Sequence, residues 1–128
     1  MESQEKKRQP GKQVQMVKVL LAEDDVTMVS LLKTLLSMEG YDVVALDADS
    51  DVAAAVQREK PDALFMDVHL GDQSGMEILE NIRKNGETAN IRVIMTSGMN
   101  MKEECIQSGA NAFLLKPFMP DDLLRALK

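Results

Sequence analysis

The chain has 128 residues, enough for one domain, and 45% of them are apolar, which rules out global disorder. Its net charge of -6 is uneven: residues 1–13 hold Lys6, Lys7, Arg8 and Lys12 against Glu2 and Glu5, so the remainder carries about -8. An acidic surface with 3% aromatic residues repels nucleic acid and anionic lipid, and it suits a cation or a basic protein patch.

Residues 1–15, "MESQEKKRQPGKQVQ", are polar and broken by Pro10-Gly11. They read as a flexible N-terminal tail ahead of a folded unit at 16–128. "KKR" is a solvated stretch in that reading, with an acidic partner as the alternative. Five short apolar runs follow: "VKVLLA" (17–22), "DVVAL" (42–46), "ALFM" (63–66), "VIM" (93–95) and "AFLL" (112–115). All are too short for a helix, and none alternates cleanly, the pattern of strands covered on both faces.

Helical patterns lie between them. Val26, Val29, Leu32, Leu35 and Leu36 form a stripe that stops at Gly40. Ser50 or Asp51 starts a second helix that runs to about Glu59, before Pro61. Ser74 and Glu77 have capping-box spacing before "ILENIRK", and Gly86 closes that helix. Asn100 and Glu103 give a weaker version of the same signal, closed by Gly109. Pro120 suits a first helical position, with Asp121 and Asp122 in the first turn.

Strand and helix thus alternate five times. This predicts an α/β fold, a doubly wound five-stranded parallel sheet in which strands one, three, four and five can be neighbours and strand two lies at an edge. Ligands of such sheets sit outside the carboxyl ends of the strands. There the sequence places Glu23-Asp24-Asp25 after the first strand, Asp67 after the third, Thr96-Ser97-Gly98 after the fourth and Lys116-Pro117 after the fifth. The end of the second, near Asp47, carries no comparable signal. Asp67 ends an apolar run, where a carboxylate is costly unless it is used. Several carboxylates crowded together need a cation, and hard oxygen ligands suit Mg²⁺ or Mn²⁺. An opposed lysine and a hydroxyl suit phosphoryl oxygens. These are parts for phosphoryl transfer, with Asp67 as carboxylate nucleophile.

Four segments, "VLLAEDD", "PDALFMDVHLGDQSG", "VIMTSG" and "GANAFLLKPF", occur in order at strand ends. Through them residues 17–128 resemble the receiver domain of two-component response regulators, of the chemotaxis-regulator kind, which implies a flavodoxin-like (βα)5 sheet with strand order 2-1-3-4-5. The resemblance implies that Glu23 and Asp24 organise Mg²⁺ and that Asp67 accepts the phosphoryl group. It implies that His69 lends its backbone carbonyl to the metal, Ser97 is the switch hydroxyl and Lys116 contacts the phosphoryl group through a cis Lys116–Pro117 bond. Phe113 stands at the position of the aromatic rotamer switch. The phosphoryl donor would be a sensor histidine kinase or a histidine phosphotransfer protein, and the surface of the fourth helix, fifth strand and fifth helix would change state. The output partner is not readable, and a homodimer on phosphorylation is compatible with the resemblance. Such a chain is a signalling receiver rather than a turnover enzyme, although it promotes its own aspartyl phosphorylation and dephosphorylation.

Several positions admit a second reading. Asp24-Asp25 competes with Glu23-Asp24, but the apolar run ends at Ala22 and Asp25 suits a helix cap. Thr96 competes with Ser97. His69, the only histidine, is a poor basis for a zinc site, though its side chain and Met99 flank the opening over Asp67. Cys105, the only cysteine, permits no internal disulfide and reads as packing in a reducing compartment. No secretory segment or membrane span is expected, so the protein reads as cytoplasmic. Gly71 replaces a proline common in the family and is expected to loosen the loop after Asp67. The interval from Ser97 to Lys116 is about one helical turn short, a loss expected in the fourth helix, near 99–107. Phe113 lacks the hydroxyl of the commoner tyrosine. Rival readings are a receiver-shaped interaction module that uses no phosphate, a receiver cut from a larger regulator or hybrid kinase, an aspartyl-phosphate phosphatase and a flavin-binding fold. The phosphatase needs a second acid where His69 stands, and "EDD" would repel a flavin phosphate.

Overall fold

The computed structural model describes residues 16–128, so the tail expected at 1–15 lies outside the described residues. The elements in chain order are β1 (Lys18–Ala22), α1 (Val26–Met38), β2 (Asp42–Leu46), α2 (Val52–Glu59) and β3 (Ala63–Asp67). There follow β4 (His69–Leu70), β5 (Gln73–Ser74), α3 (Gly75–Lys84), β6 (Arg92–Ser97), α4 (Lys102–Gln107), β7 (Ala112–Leu115) and α5 (Pro120–Ala126). The main sheet has five parallel strands in the order β2-β1-β3-β6-β7, which is the expected 2-1-3-4-5 order of the five long runs.

Successive strand residues feed two cores. Val19, Leu21, Ala63, Phe65 and Ile94 pack on one face with Leu32 and Leu36 of α1 and Leu123 of α5. Leu20, Ala22, Leu64, Met66, Val93 and Met95 pack on the other with α2, α3 and Cys105 of α4. Burial on both faces explains why these strands are unbroken apolar runs. Cys105 is fully buried, its Sγ 3.7 Å from Met76 Sδ, as a packing residue should be.

The helix starts follow local chemistry. Asp25 caps α1 by accepting from the Met28 N–H, and Asp51, not Ser50, caps α2 by accepting from the Ala54 N–H. Ser74 Oγ accepts from the Glu77 N–H at the head of α3. Asn100 does not cap α4: the cap position is Met101, without a side-chain bond, and Asn100 Oδ1 instead accepts from the Lys102 N–H. The helix has six residues, fewer than any other in the described chain, in line with the short Ser97–Lys116 interval.

The sequence reading missed one element. β4 and β5 form an antiparallel hairpin directly after Asp67, pairing His69 with Ser74 and Leu70 with Gln73. Its two-residue loop begins at Gly71, with φ +58, the sign a hairpin turn of this length needs there. The expected slack loop is therefore a closed one.

Candidate functional site

The carboxyl ends of β1, β3, β6 and β7 bring the site together. Asp67, the last residue of β3, is buried. Its Oδ1 accepts from the His69 backbone N–H at 2.9 Å and its Oδ2 from Lys116 Nζ at 2.5 Å. Lys116, 49 residues further along the chain, also lies 2.8 Å from Glu23 Oε1. That second contact is an ion pair to a buried carboxylate oxygen. Glu23 Oε2 accepts from the Asp25 N–H at 2.9 Å. Asp24 is exposed, and its Oδ2 accepts from the Gly71 N–H at 3.2 Å.

One carboxylate oxygen from each of Glu23, Asp24 and Asp67 lies within 4.8 Å of the others. Asp25 is outside that group and serves α1, which separates the two registers that the sequence left in competition. The group fits a hard divalent cation on its own chemistry: three carboxylates converge there with a single ammonium among them.

Burial lifts the Glu23 carboxyl above its ordinary range, and the Asp67 charge adds to this. Lys116 and the Asp25 N–H pull the other way without cancelling it. Burial alone would lower Lys116. The hydrogen bond to Asp67 and the contact with Glu23 outweigh it, and the ammonium holds its proton above the ordinary lysine value.

Thr96 and Ser97 face different tasks. Thr96 is fully buried, opposite Asp67 in the sheet register, and its Oγ1 donates to the Leu114 carbonyl at 2.7 Å. Its hydroxyl is thereby committed to joining β6 and β7. Ser97 Oγ accepts from the Met99 N–H at 3.1 Å, and the Ser97 carbonyl accepts from the Lys116 N–H at 2.9 Å. Phe113, half-buried on β7, pairs with Met95 and packs against the α2–α3–α4 core. His69 is exposed, and Met99 is 65% exposed. The Lys116–Pro117 bond is cis. Behind it, Phe118 packs edge-on against Phe65, with ring centroids 5.6 Å apart.

Two supporting residues escaped the sequence reading. The Gly75 N–H donates to the Val68 carbonyl at 2.7 Å, and a Cβ on Gly75 would lie 2.4 Å from the Asp67 carbonyl oxygen. Only glycine lets α3 begin so close to the strand that carries Asp67. Gln73 is the other; its amide reaches two backbone carbonyls of the β2–α2 turn. The glycine after Ser74 in "QSG" was the available signal for Gly75; Gln73 had none.

The family model of the response regulator receiver domain matches residues 19–128. The chain belongs to that family. Among curated proteins, this receiver domain is 31% identical to the chemotaxis protein CheY of Thermotoga maritima over 112 residues, covering 86% of this chain and 93% of that one. It is also 31% identical over 109 residues to the transcriptional regulatory protein KdpE of Staphylococcus aureus, covering 83% of this chain but 46% of the relative. The chain spans about half the length of the transcriptional regulators it matches. Among solved structures, a chemotaxis response regulator of Vibrio cholerae superposes with a TM-score of 0.79 at 27% identity, covering 88% of this chain and 97% of that one. The receiver domain of a sensor histidine kinase from Pseudomonas aeruginosa gives 0.76 at 26% identity, covering 88% and 95%; that structure has a magnesium ion coordinated in its active site cleft. Among the described residues, no helix is long and apolar enough to cross a membrane.

Proposed function

We propose that this receiver domain takes a phosphoryl group onto Asp67 from a phosphohistidine of a sensor histidine kinase or a histidine phosphotransfer protein. The observation that carries the reading is the Lys116 ammonium 2.5 Å from Asp67 Oδ2, beside the carboxylates of Glu23 and Asp24. An unused site need not keep one ammonium against three acids.

Mg²⁺ or Mn²⁺, held by the Glu23, Asp24 and Asp67 carboxylates and the His69 backbone carbonyl, would supply neutralisation of phosphoryl charge. An Asp67 oxygen attacks phosphorus, an O–P bond forms, the donor's P–N bond breaks and its electron pair returns to the imidazole nitrogen. The His69 N–H fixes the Asp67 carboxylate, and Lys116 offers its charge to an equatorial phosphoryl oxygen. The Ser97 hydroxyl then turns from its local bond with Met99 to the new acceptor, and Phe113 follows. The α4–β7–α5 surface would read out that shift, in a cytoplasmic signalling protein that turns over no external product. Water later cleaves the O–P bond and restores the carboxylate. Transcriptional roles belong to relatives of about twice this length and are not carried over.

The test is incubation with phosphoramidate and Mg²⁺, followed by intact-protein and peptide mass measurement. Wild type should gain one phosphoryl group on the peptide holding Asp67, and Asp67→Asn should gain none. A gain that persists in Asp67→Asn removes Asp67 from the role.

A further inference from the structure

The side chain of Gln73 touches none of the reacting groups, yet the backbone of its hairpin holds two of the three acids. The His69 N–H donates to Asp67 Oδ1 and the Gly71 N–H to Asp24 Oδ2. On its other side the hairpin is fastened to the turn between β2 and α2. Gln73 Nε2 donates to the Ala48 carbonyl at 2.7 Å and to the Ser50 carbonyl at 2.9 Å. The turn is itself closed by the Ser50 N–H on the Asp47 carbonyl.

Two acceptors converge on one nitrogen, so the residue must supply two N–H donors from a single neutral group at this reach. A carboxylate would set lone pairs against lone pairs, and an apolar side chain would leave both carbonyls without that partner. The fit is close. A Cβ on Gly71 would lie 3.2 Å from the Ala48 Cβ, so the hairpin rests flush on the turn. Proline, fixed near φ of about -65°, does not suit position 71 at φ +58. The loop after Asp67 is therefore fastened by a side-chain clamp and not by a ring.

We propose that Gln73 is a positioning residue for the acidic site: by bolting the hairpin to the 47–50 turn, it holds the backbone N–H groups that orient Asp67 and Asp24. The inference rests on the phospho-accepting reading and adds a residue to it.

Gln73→Met removes the donors at nearly constant volume. By calorimetric titration it should bind Mg²⁺ about 10-fold more weakly than wild type, the scale expected when an outer hydrogen-bond partner of a metal ligand is lost. Amide exchange at His69 and Gly71, read by NMR without metal, should quicken. Gln73→Asn keeps the amide but shortens its reach, and it should weaken Mg²⁺ binding in the same direction. Thr88→Val is the stability control, since it removes the remote Thr88 Oγ1 bond to the Ile82 carbonyl. It should lower the melting temperature while leaving Mg²⁺ affinity unchanged. Affinity within twofold of wild type in Gln73→Met overturns the proposal, as does an equal loss of affinity in Thr88→Val. Failure of wild type to bind Mg²⁺ or accept phosphate would sink the functional reading instead, and the amide-exchange comparison would still decide whether Gln73 holds the hairpin.

Discussion

Removing Lys116 should make the metal-free domain less stable and more responsive to Mg²⁺. With all three carboxylates ionised and their oxygens within 4.8 Å, each pair repels by about 3.5 kcal/mol or more at an effective dielectric of about 20. The ammonium, at 2.5 Å from Asp67 and 2.8 Å from Glu23, attracts each by about 6 kcal/mol on the same scale. Much of that gain is offset by desolvation, and the Lys116 side chain is still 24% exposed. The low end of the range for breaking a buried pair, about 3 kcal/mol, is therefore the appropriate expectation for Lys116→Met. At about 4 °C per kcal/mol for a domain of this size, the melting temperature in EDTA should fall by roughly 10 °C. Mg²⁺ then meets no competing ammonium. At a Mg²⁺ concentration where wild type gains about 2.7 kcal/mol (100-fold above its Kd), the variant should gain at least about 1 kcal/mol more. Scanning calorimetry of both proteins in EDTA and in MgCl₂ measures all four values. Equal melting points in EDTA, or a Mg²⁺-induced rise no larger in the variant, would refute the charge balance drawn from these distances.

Other outcomes follow from neighbouring contacts. In the same pair of proteins, the stability difference should be full below pH 10.5, the ordinary lysine value. The folded ammonium holds its proton more tightly than the unfolded one, so the difference should shrink as pH rises through the raised folded value; a constant gap up to that limit would contradict the ion contact. Gly75→Ala sets a methyl 2.4 Å from the Asp67 carbonyl oxygen and should cost about 2 kcal/mol or more in urea unfolding, with slower phosphorylation by phosphoramidate. Thr96→Val should cost about 1–2 kcal/mol by orphaning the Leu114 carbonyl while leaving Asp67 phosphorylation intact. Arg83 donates to the carbonyls of Gly109, Ala89 and Ile91 and to Asn111 Oδ1. Arg83→Met should cost about 3 kcal/mol and speed amide exchange in the segment from Gly109 to Asn111.

The three central strands, β1, β3 and β6, were legible because they are buried on both faces and so wrote unbroken apolar runs into the sequence. The edge strands β2 and β7 are only partly buried and were legible as short apolar runs between helical patterns. The acids and Lys116 were legible because they interrupt or follow those runs. The Asp25 cap also had a local signature, an acid three residues before the N–H it receives. The β4–β5 hairpin did not, since two residues per strand are too few to show a period. Thr96 and Ser97 were told apart only by the resemblance, which favours Ser97 before Gly98: both are buried at the end of one strand, and it takes the pairing of β6 with β7 to give the Thr96 hydroxyl its carbonyl. The clamp of Gln73 was invisible because its acceptors are backbone carbonyls 23 and 25 residues away, and any sequence supplies a carbonyl.

These fastenings are unevenly distributed around the mouth, and the unevenness bears on the switching movement proposed above. The turn after β2 is bolted by Gln73, and the hairpin after β3 is bolted with it. The segment after β7 is anchored by Phe118 on Phe65. The segment after β6 is held differently. Among the described residues, its side-chain hydrogen bonds are the Met99 N–H on Ser97 and the Lys102 N–H on Asn100, each spanning two residues. It leads into a six-residue helix with no side-chain cap, while Arg83 and Asn111 fix the far side of that helix. Displacing residues 98–100 would therefore give up short local bonds, with Met101 packed on the α2–α3–α4 core as the next anchor, whereas displacing the other strand-end segments would break contacts across the fold. Because Lys116 donates its backbone N–H to the Ser97 carbonyl, that movement also pulls on the lysine that holds Asp67.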